Sequence, residues 1–140
     1  KVINSLIFNK KITIYGNNFK TTDGTCVRDY IHIKDIVRGI EKSIKYLNKN
    51  KSGIFNLGSG YGNSVLKIIE HGSKIVRKKP IIKLDIKRKG DVEKLICSIS
   101  KARNNLKWSP KYSNINTIIK DEIKWQLFLK RQKLRRFFYN

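Results

Sequence analysis

Apolar and polar positions alternate along the chain in two distinct rhythms. Val2, Ile3, Leu6 and Ile7 fall on one side of a short helix over Lys1–Phe8. Ile12–Tyr15 is a β-prone run, closed by the turn residues Gly16-Asn17-Asn18, and Asp23-Gly24 marks a second turn. Tyr30–Ile33 alternates loosely and predicts a short strand. Asp35 stands where a helix cap would, ahead of Ile36, Val37, Ile40, Ile44 and Leu47 at helical spacing. Asn48–Ser52 reads as a polar loop and Ile54–Leu57 as a buried strand. A glycine loop, Gly58-Ser59-Gly60-Tyr61-Gly62, follows, and Asn63 or Ser64 is placed to cap a helix whose inner face is Val65, Ile68, Ile69, Ile75 and Val76. Pro80 stops that helix. Ile81–Ile86 predicts a strand, Arg88–Asp91 a charged loop, and Ser100–Leu106 a short helix. Ile115, Ile118, Ile119, Ile123 and Leu127 define a last amphipathic helix, with a polar extension ending at Phe137, Phe138 and Tyr139. The alternation of strands and helices predicts an α/β fold.

Composition changes this picture in three ways. The 140 residues suit one domain of ordinary size, but the chain contains no Met and starts at Lys1 inside a helical pattern, so it is expected to be a piece of a longer protein. The formal net charge is +22. Such a charge attracts polyanions. The lysines, however, are spread over nearly every segment, with clusters at Lys74–Lys79 and Lys130–Arg136, rather than gathered on one face among exposed aromatics. Together with the abundance of Ile and Asn, whose codons are also rich in A and T, that spread points to compositional drift, and specific nucleic-acid binding is not expected. No apolar run approaches the ~20 residues of a membrane span, so no membrane partner is expected. Cys26 and Cys97 form no metal-ligand spacing and read as free thiols in a reducing cytoplasm.

Three segments carry candidate chemistry. The strand–glycine loop–helix at Ile54–Ile69 is the kind of turn that sets backbone N–H groups against a phosphate. It fails the G-x-G-x-x-G dinucleotide pattern, because Asn63 holds the third glycine position. In Asp23–Asp35, Arg28, Asp29, Tyr30, His32 and Asp35 crowd together before a helix. The planar fork of an Arg on a turn matches phosphate oxygens. For the same residues a surface ion pair (Arg28–Asp29), a hydrogen-bonded structural histidine (His32) and a helix cap (Asp35) remain open. Arg88-Lys89-Gly90-Asp91 joins a cation to a carboxylate, which suits a ligand with phosphate and ribose and equally a solvated loop.

Taken together, these segments resemble the UDP-glucose 4-epimerases of the extended short-chain dehydrogenase/reductase superfamily. The likeness is carried by Ile14–Phe19 with Thr22–Asp35, by Phe55–Gly60 with Gly62–Val65, by Arg88–Asp91, and by Ser100-Lys101-Ala102 through Leu106-Lys107-Trp108. The Arg-Asp-Tyr-Ile-His block is shared with sugar-nucleotide dehydratases. The resemblance implies a C-terminal portion of that fold lacking most of the parallel Rossmann sheet. Residues 1–129 would form the UDP-sugar-binding portion, 54–57 a strand returning to the main sheet, and 130–140 a basic tail without counterpart.

By the same resemblance, Arg28 and Arg88 contact the UDP diphosphate and Asp91 holds the uridine ribose. Tyr15 lies along the uracil, Tyr30 and Val65 line the same site, and Leu95 lines the sugar pocket, where it leaves tolerance for N-acetyl sugars open. The complete enzyme would use bound NAD, taking hydride from C4 of the sugar and returning it to the other face. It would act as a cytoplasmic homodimer in galactose metabolism. The NAD loop, the catalytic Ser/Thr and the Tyr-x-x-x-Lys pair are not found here, so this chain alone is expected to bind UDP and to be inactive. Rival readings are a UDP-N-acetylglucosamine 4-epimerase, a sugar-nucleotide 4,6-dehydratase, a basic polyanion-binding module and a degraded remnant.

Overall fold

In a computed structural model, residues 1–49 and 52–138 are described, with side-chain surroundings through residue 132. β1 (Ile12–Tyr15) and β4 (Ile82–Asp85) pair in parallel, with Ile12 opposite Ile82 and Tyr15 opposite Asp85. A parallel pair needs a crossover, and α3 (Val65–Val76) supplies its helix. The buried side chains of β1, Ile12 and Ile14, meet Ile68 and Ile69 of α3, Ile3 and Leu6 of α1 (Val2–Ile7), and Ile119 of α5 (Ile115–Phe138). Gly72 lets α1 close on α3, since a Cβ there would stand 2.7 Å from Leu6 Cδ1 and 2.9 Å from Ile3 Cδ1. The helix over Lys1–Phe8, both strands, and the Ser64 cap, whose hydroxyl accepts from Lys67 N, follow the sequence pattern.

The second sheet does not. Its centre is β2 (Val27–Asp29), antiparallel to β3 (Gly62–Ser64) and parallel to β5 (Lys94–Leu95). The strand expected at Tyr30–Ile33 therefore lies three residues earlier, and Ile33 already belongs to α2 (Ile33–Leu47). Strands of two or three residues carry too little alternation to be read locally; remote partners define them.

α2 brings a further correction. Its cap is His32, whose Nδ1 accepts from Lys34 N at 3.1 Å. Asp35 sits one turn deeper, fully buried, and accepts from Lys111 N and Tyr112 N at 2.8 Å, Ser113 Oγ at 2.7 Å and Arg38 Nη1 at 2.9 Å. Trp108 Nε1 donates to the Asp35 carbonyl at 3.0 Å. Trp108 is also the centre of a second core with Ile99, Ala102 and Leu106, built on α4 (Ser100–Leu106), which has the bounds the pattern predicts.

The apolar stripe of α2 is not covered. Ile33, Val37, Ile40, Ile44 and Leu47 are all exposed, between 48% and 65%. Residues 54–57, expected as a strand, pair with no strand among the described residues; Ile54 is 86% exposed while Phe55 and Leu57 pack on the second core. Asn50 and Lys51 of the expected polar loop, and Tyr139 and Asn140 of the expected tail, lie outside the described residues. α5 runs unbroken across residues 129 and 130, where a tail was expected to begin.

Candidate functional site

The C-terminal ends of β1 and β4 open onto the loop that carries Arg88 and Asp91. Gly90, at φ 86°, turns that loop in a conformation other residues rarely adopt, and Asp91 N closes it on the Arg88 carbonyl at 3.2 Å. The turn folds Arg88 back over the last residue of β1, so that its guanidinium carbon lies 3.9 Å from the Tyr15 ring centroid. Val65, the first residue of α3, faces the same place, held there by its N–H donating to the Cys26 carbonyl at 3.1 Å. Tyr15, Val65, Arg88 and Asp91 line one cleft of about 60 Å³, completed by Thr13, Ile14 and Cys26. A broader, shallow hollow of about 500 Å³ lies beside it in sequence and space, over Gly16–Asn18 and Leu84–Lys87.

Arg28 projects from β2 and ties this loop to the sheet. Its Nη1 donates to the Val27 and Val92 carbonyls at 2.9 Å, and its Nη2 pairs with Asp91 Oδ1 at 3.4 Å. The pair the sequence offered as Arg28–Asp29 is thus Arg28–Asp91, across 63 residues. Tyr30 is half-buried against the first core rather than in the cleft lining. Burial pushes its phenol above the ordinary range, with nearby Cys26 adding to the effect and Arg28 opposing it. Leu95 lies opposite Arg28 in the β2–β5 register and is 62% exposed, outside the cleft.

Asp29 and Asp23 are structural anchors, a role the local sequence did not give them: it offered Asp29 as a partner of Arg28 and Asp23 as a turn residue. The Asp29 carboxylate accepts from Ser59 N at 2.7 Å, Gly60 N at 3.1 Å, and the Ser59 hydroxyl. Burial opposes its charge, but these donors outweigh it and hold the carboxyl below its ordinary value. The same carboxylate and burial push the Cys97 thiol up, burial being the larger cause. Gly58 permits the approach: a Cβ there would stand 2.2 Å from Cys97 Sγ and 2.5 Å from Asp29 Oδ2. The glycine loop's N–H groups at Ser59 and Gly60 are therefore taken by a side chain of the protein, not turned toward a phosphate. Asp23 accepts from Thr25 N, Thr25 Oγ1 and the Ser64 hydroxyl, joining its turn to the start of α3. His32, buried, spans α2 and α5: with Nδ1 accepting from Lys34 N, its Nε2 donates to Asp121 at 3.2 Å.

A hollow of about 570 Å³ between α2 and α4 is larger than the cleft, but it is walled by Lys42, Lys45, Lys49 and Lys107 and holds none of the predicted site residues. Tyr46, Asn104, Asn105 and Leu106 complete its lining. Among the described residues no group of three or more His, Cys, Asp or Glu side chains is placed to hold a metal ion.

A family model described as GDP-mannose 4,6 dehydratase matches residues 2–121. The chain is similar to the UDP-glucose 4-epimerase of Lactobacillus helveticus, 37% identical over 116 residues that make up 82% of this chain and 35% of the relative. It is likewise similar to UDP-glucose 4-epimerase 4 of Oryza sativa subsp. japonica, at 39% identity, covering 81% of this chain and 31% of the relative. The solved UDP-Glc/GlcNAc 4-epimerase of Campylobacter jejuni superposes with a TM-score of 0.80 at 37% identity, over 89% of this chain and 39% of that one. The UDP-glucose 4-epimerase of Stenotrophomonas maltophila, with bound NAD and formylated UDP-arabinopyranose, gives 0.87 at 27%, over 93% and 39%. The chain thus spans about a third of the length of the curated relatives it matches. Its fold is α/β, corresponding to the C-terminal portion of the extended short-chain dehydrogenase/reductase chains, with only short sheets of its own. By the family match over residues 2–121, the chain belongs to the nucleotide-sugar family described as GDP-mannose 4,6 dehydratase, and within it is similar to the C-terminal part of the UDP-glucose 4-epimerases.

Proposed function

We propose that this chain is the UDP-binding part of a UDP-glucose 4-epimerase that interconverts UDP-glucose and UDP-galactose. The observation that carries the reading is the convergence of Tyr15, Val65, Arg88 and Asp91, contributed by one strand, a helix and a loop, on one cleft. Arg88 offers a planar donor fork and Tyr15 an aromatic face, a combination suited to a diphosphate joined to a base. Asp91 supplies acceptor oxygens for vicinal ribose hydroxyls. Arg28 stands behind it, fixing Asp91 and leaving part of its own fork for a phosphate oxygen. Leu95, exposed on β5, borders the sugar only if the remainder of the enzyme closes over it.

The residues present do not fit NAD. The glycine-loop N–H groups that would face a pyrophosphate are held by Asp29. Neighbouring epimerases are solved with NAD, and in this proposal the cofactor binds to the portion of the enzyme that this chain does not span. The homodimer and the cytoplasmic setting belong to the same proposal and rest on the resemblance alone. The family model's description supports a sugar-nucleotide 4,6-dehydratase as the second reading.

The test is a pair of titrations and one assay on the 140-residue chain. UDP is expected to bind and NAD not to. With NAD and UDP-galactose supplied together, no UDP-glucose is expected beyond the blank. NAD binding tighter than UDP, or clear turnover, would overturn the proposal.

A further inference from the structure

The family match ends at Asp121, yet α5 continues for more than four further turns, to Phe138. This extension has a composition of its own. After Asp121 and Glu122, the sequence from Ile123 onward carries six basic residues, Lys124, Lys130, Arg131, Lys133, Arg135 and Arg136, and no further acid. Its inner side is docked: Ile119 and Ile123 enter the first core, Gln126 accepts from Asn4 Nδ2 at 2.9 Å, and Lys130 Nζ lies 5.6 Å from the Phe8 ring centroid. That docking fixes which side is left outward. Trp125, Phe128 and Leu129, at i, i+3 and i+4, share that outward face. They are 53%, 49% and 36% exposed, and the two rings stack with centroids 5.6 Å apart. Lys120, Lys124 and Arg131 follow one another along the adjoining strip of the helix; Lys124, 79% exposed on its side chain, pairs with Asp121 Oδ1 at 3.3 Å, an exposed pair that a lipid phosphate can replace.

An outward apolar face edged by cations, on a helix rooted in a folded body, has one matching surface chemistry. We infer that the α5 extension lies on anionic phospholipid membranes, with Trp125, Phe128 and Leu129 entering the headgroup–acyl boundary and Lys120, Lys124 and Arg131 meeting lipid phosphates. The occupant is argued from charge complementarity and from the aliphatic component. A nucleic acid would use the stacked rings and the cations but has no apolar layer to cover Leu129, which is 36% exposed on the same face as the rings. This is a helix lying on a surface, not across one: no described helix is long and apolar enough to span a membrane. It departs from the expectation of no membrane partner, which considered only spanning segments, and it stands independently of the epimerase reading.

The two tryptophans make the experiment internally controlled, because Trp108 is fully buried and Trp125 is not. The 140-residue chain is mixed with vesicles of phosphatidylcholine alone, with vesicles containing about one-third phosphatidylglycerol, and with single-stranded DNA. Co-sedimentation and tryptophan emission are recorded for the natural chain, for Trp125→Ala/Phe128→Ala and for Lys124→Glu/Arg131→Glu. The expected result is binding to the anionic vesicles with a blue shift of Trp125, at least tenfold weaker binding to neutral vesicles, and at least tenfold weaker binding by each double variant. Equal vesicle binding by the Trp125→Ala/Phe128→Ala chain would overturn the inference, as bulk charge alone would then explain it. Tighter, patch-dependent binding to DNA than to vesicles would overturn it in favour of a nucleic-acid partner, and no vesicle binding would overturn it outright.

Discussion

Arg88 lies over Tyr15, its guanidinium carbon 3.9 Å from the ring centroid. A cation held over an aromatic face in this way is fixed beside the cleft that both residues line. The natural pair should therefore present a preformed phosphate site. Arg88→Ala should weaken UDP binding by about 1.5–3 kcal/mol, roughly ten- to hundredfold. Arg88→Lys should recover only part of this, since an ammonium keeps the charge but neither the plane nor the fork. Lys74→Ala should change little. Calorimetric titration of the three variants checks the ranking, and equal small effects would show the cleft is misassigned.

Asp35 is a fully buried acid whose carboxylate accepts four hydrogen bonds. Its carboxylate gathers Lys111, Tyr112, Ser113 and Arg38 at the junction of α2 with the segment after Trp108. Removing it leaves buried donors without an acceptor. Asp35→Ala is expected to destabilise the fold by about 3 kcal/mol or more, read as a drop in thermal midpoint, whereas Asp85→Ala, at a partly exposed site with only a local Ile86 N–H bond and an exposed Lys83 pair, should have a smaller effect.

The same groups set an acid limit. Asp23, Asp29 and Asp35 all have their carboxyl groups held below the ordinary value: in each, burial opposes the charge and hydrogen bonds from hydroxyl and N–H donors outweigh it. A depressed folded-state pKa means the unfolded chain binds more protons in the window between the two values. The stability these acids contribute is thus fully present above the unfolded value, about 3.9, and is lost as pH falls through the lower folded values. Urea unfolding at a series of pH values should show stability flat above about pH 5 from these groups and falling below pH 4. Asp29→Asn should flatten that fall; an unchanged slope would contradict the assignment.

Much of the site was legible in the sequence because its parts are local motifs. The turn after Ile12–Tyr15, the Ser64 cap and the Arg-Lys-Gly-Asp loop each declare themselves within a few residues, and Tyr15, Val65, Arg88 and Asp91, named from the resemblance, line one cleft. What was not legible depends on partners far along the chain. β2 was misplaced because β3 and β5, which define it, lie tens of residues away. Asp35 looked like a cap because its acceptor role is visible only from residues 111–113. Leu95, named for the sugar pocket by the resemblance, is 62% exposed on β5 in this chain.

The uncovered stripe of α2 has a consequence in solution. Ile33, Val37, Ile40, Ile44 and Leu47 form an exposed apolar strip along α2, and a net charge of +22 is what opposes its self-association. Repulsion reaches only about 10 Å at 0.1 M salt and less above it. The chain should stay dispersed at low salt and scatter light as salt rises, and Ile40→Lys/Ile44→Lys should move that onset to higher salt. A natural chain that stays monomeric through the whole series would contradict this.

The central claim is that the cleft beneath Arg88 recognises the diphosphate of a uridine nucleotide, and comparison of UDP with uridine tests it most directly. In parallel titrations of the natural chain, UDP should bind at least about tenfold more tightly than uridine, as expected for charge-assisted phosphate contacts. The gap should shrink in Arg88→Ala. Equal affinities for UDP and uridine in the natural chain, or a gap untouched by Arg88→Ala, would contradict the account.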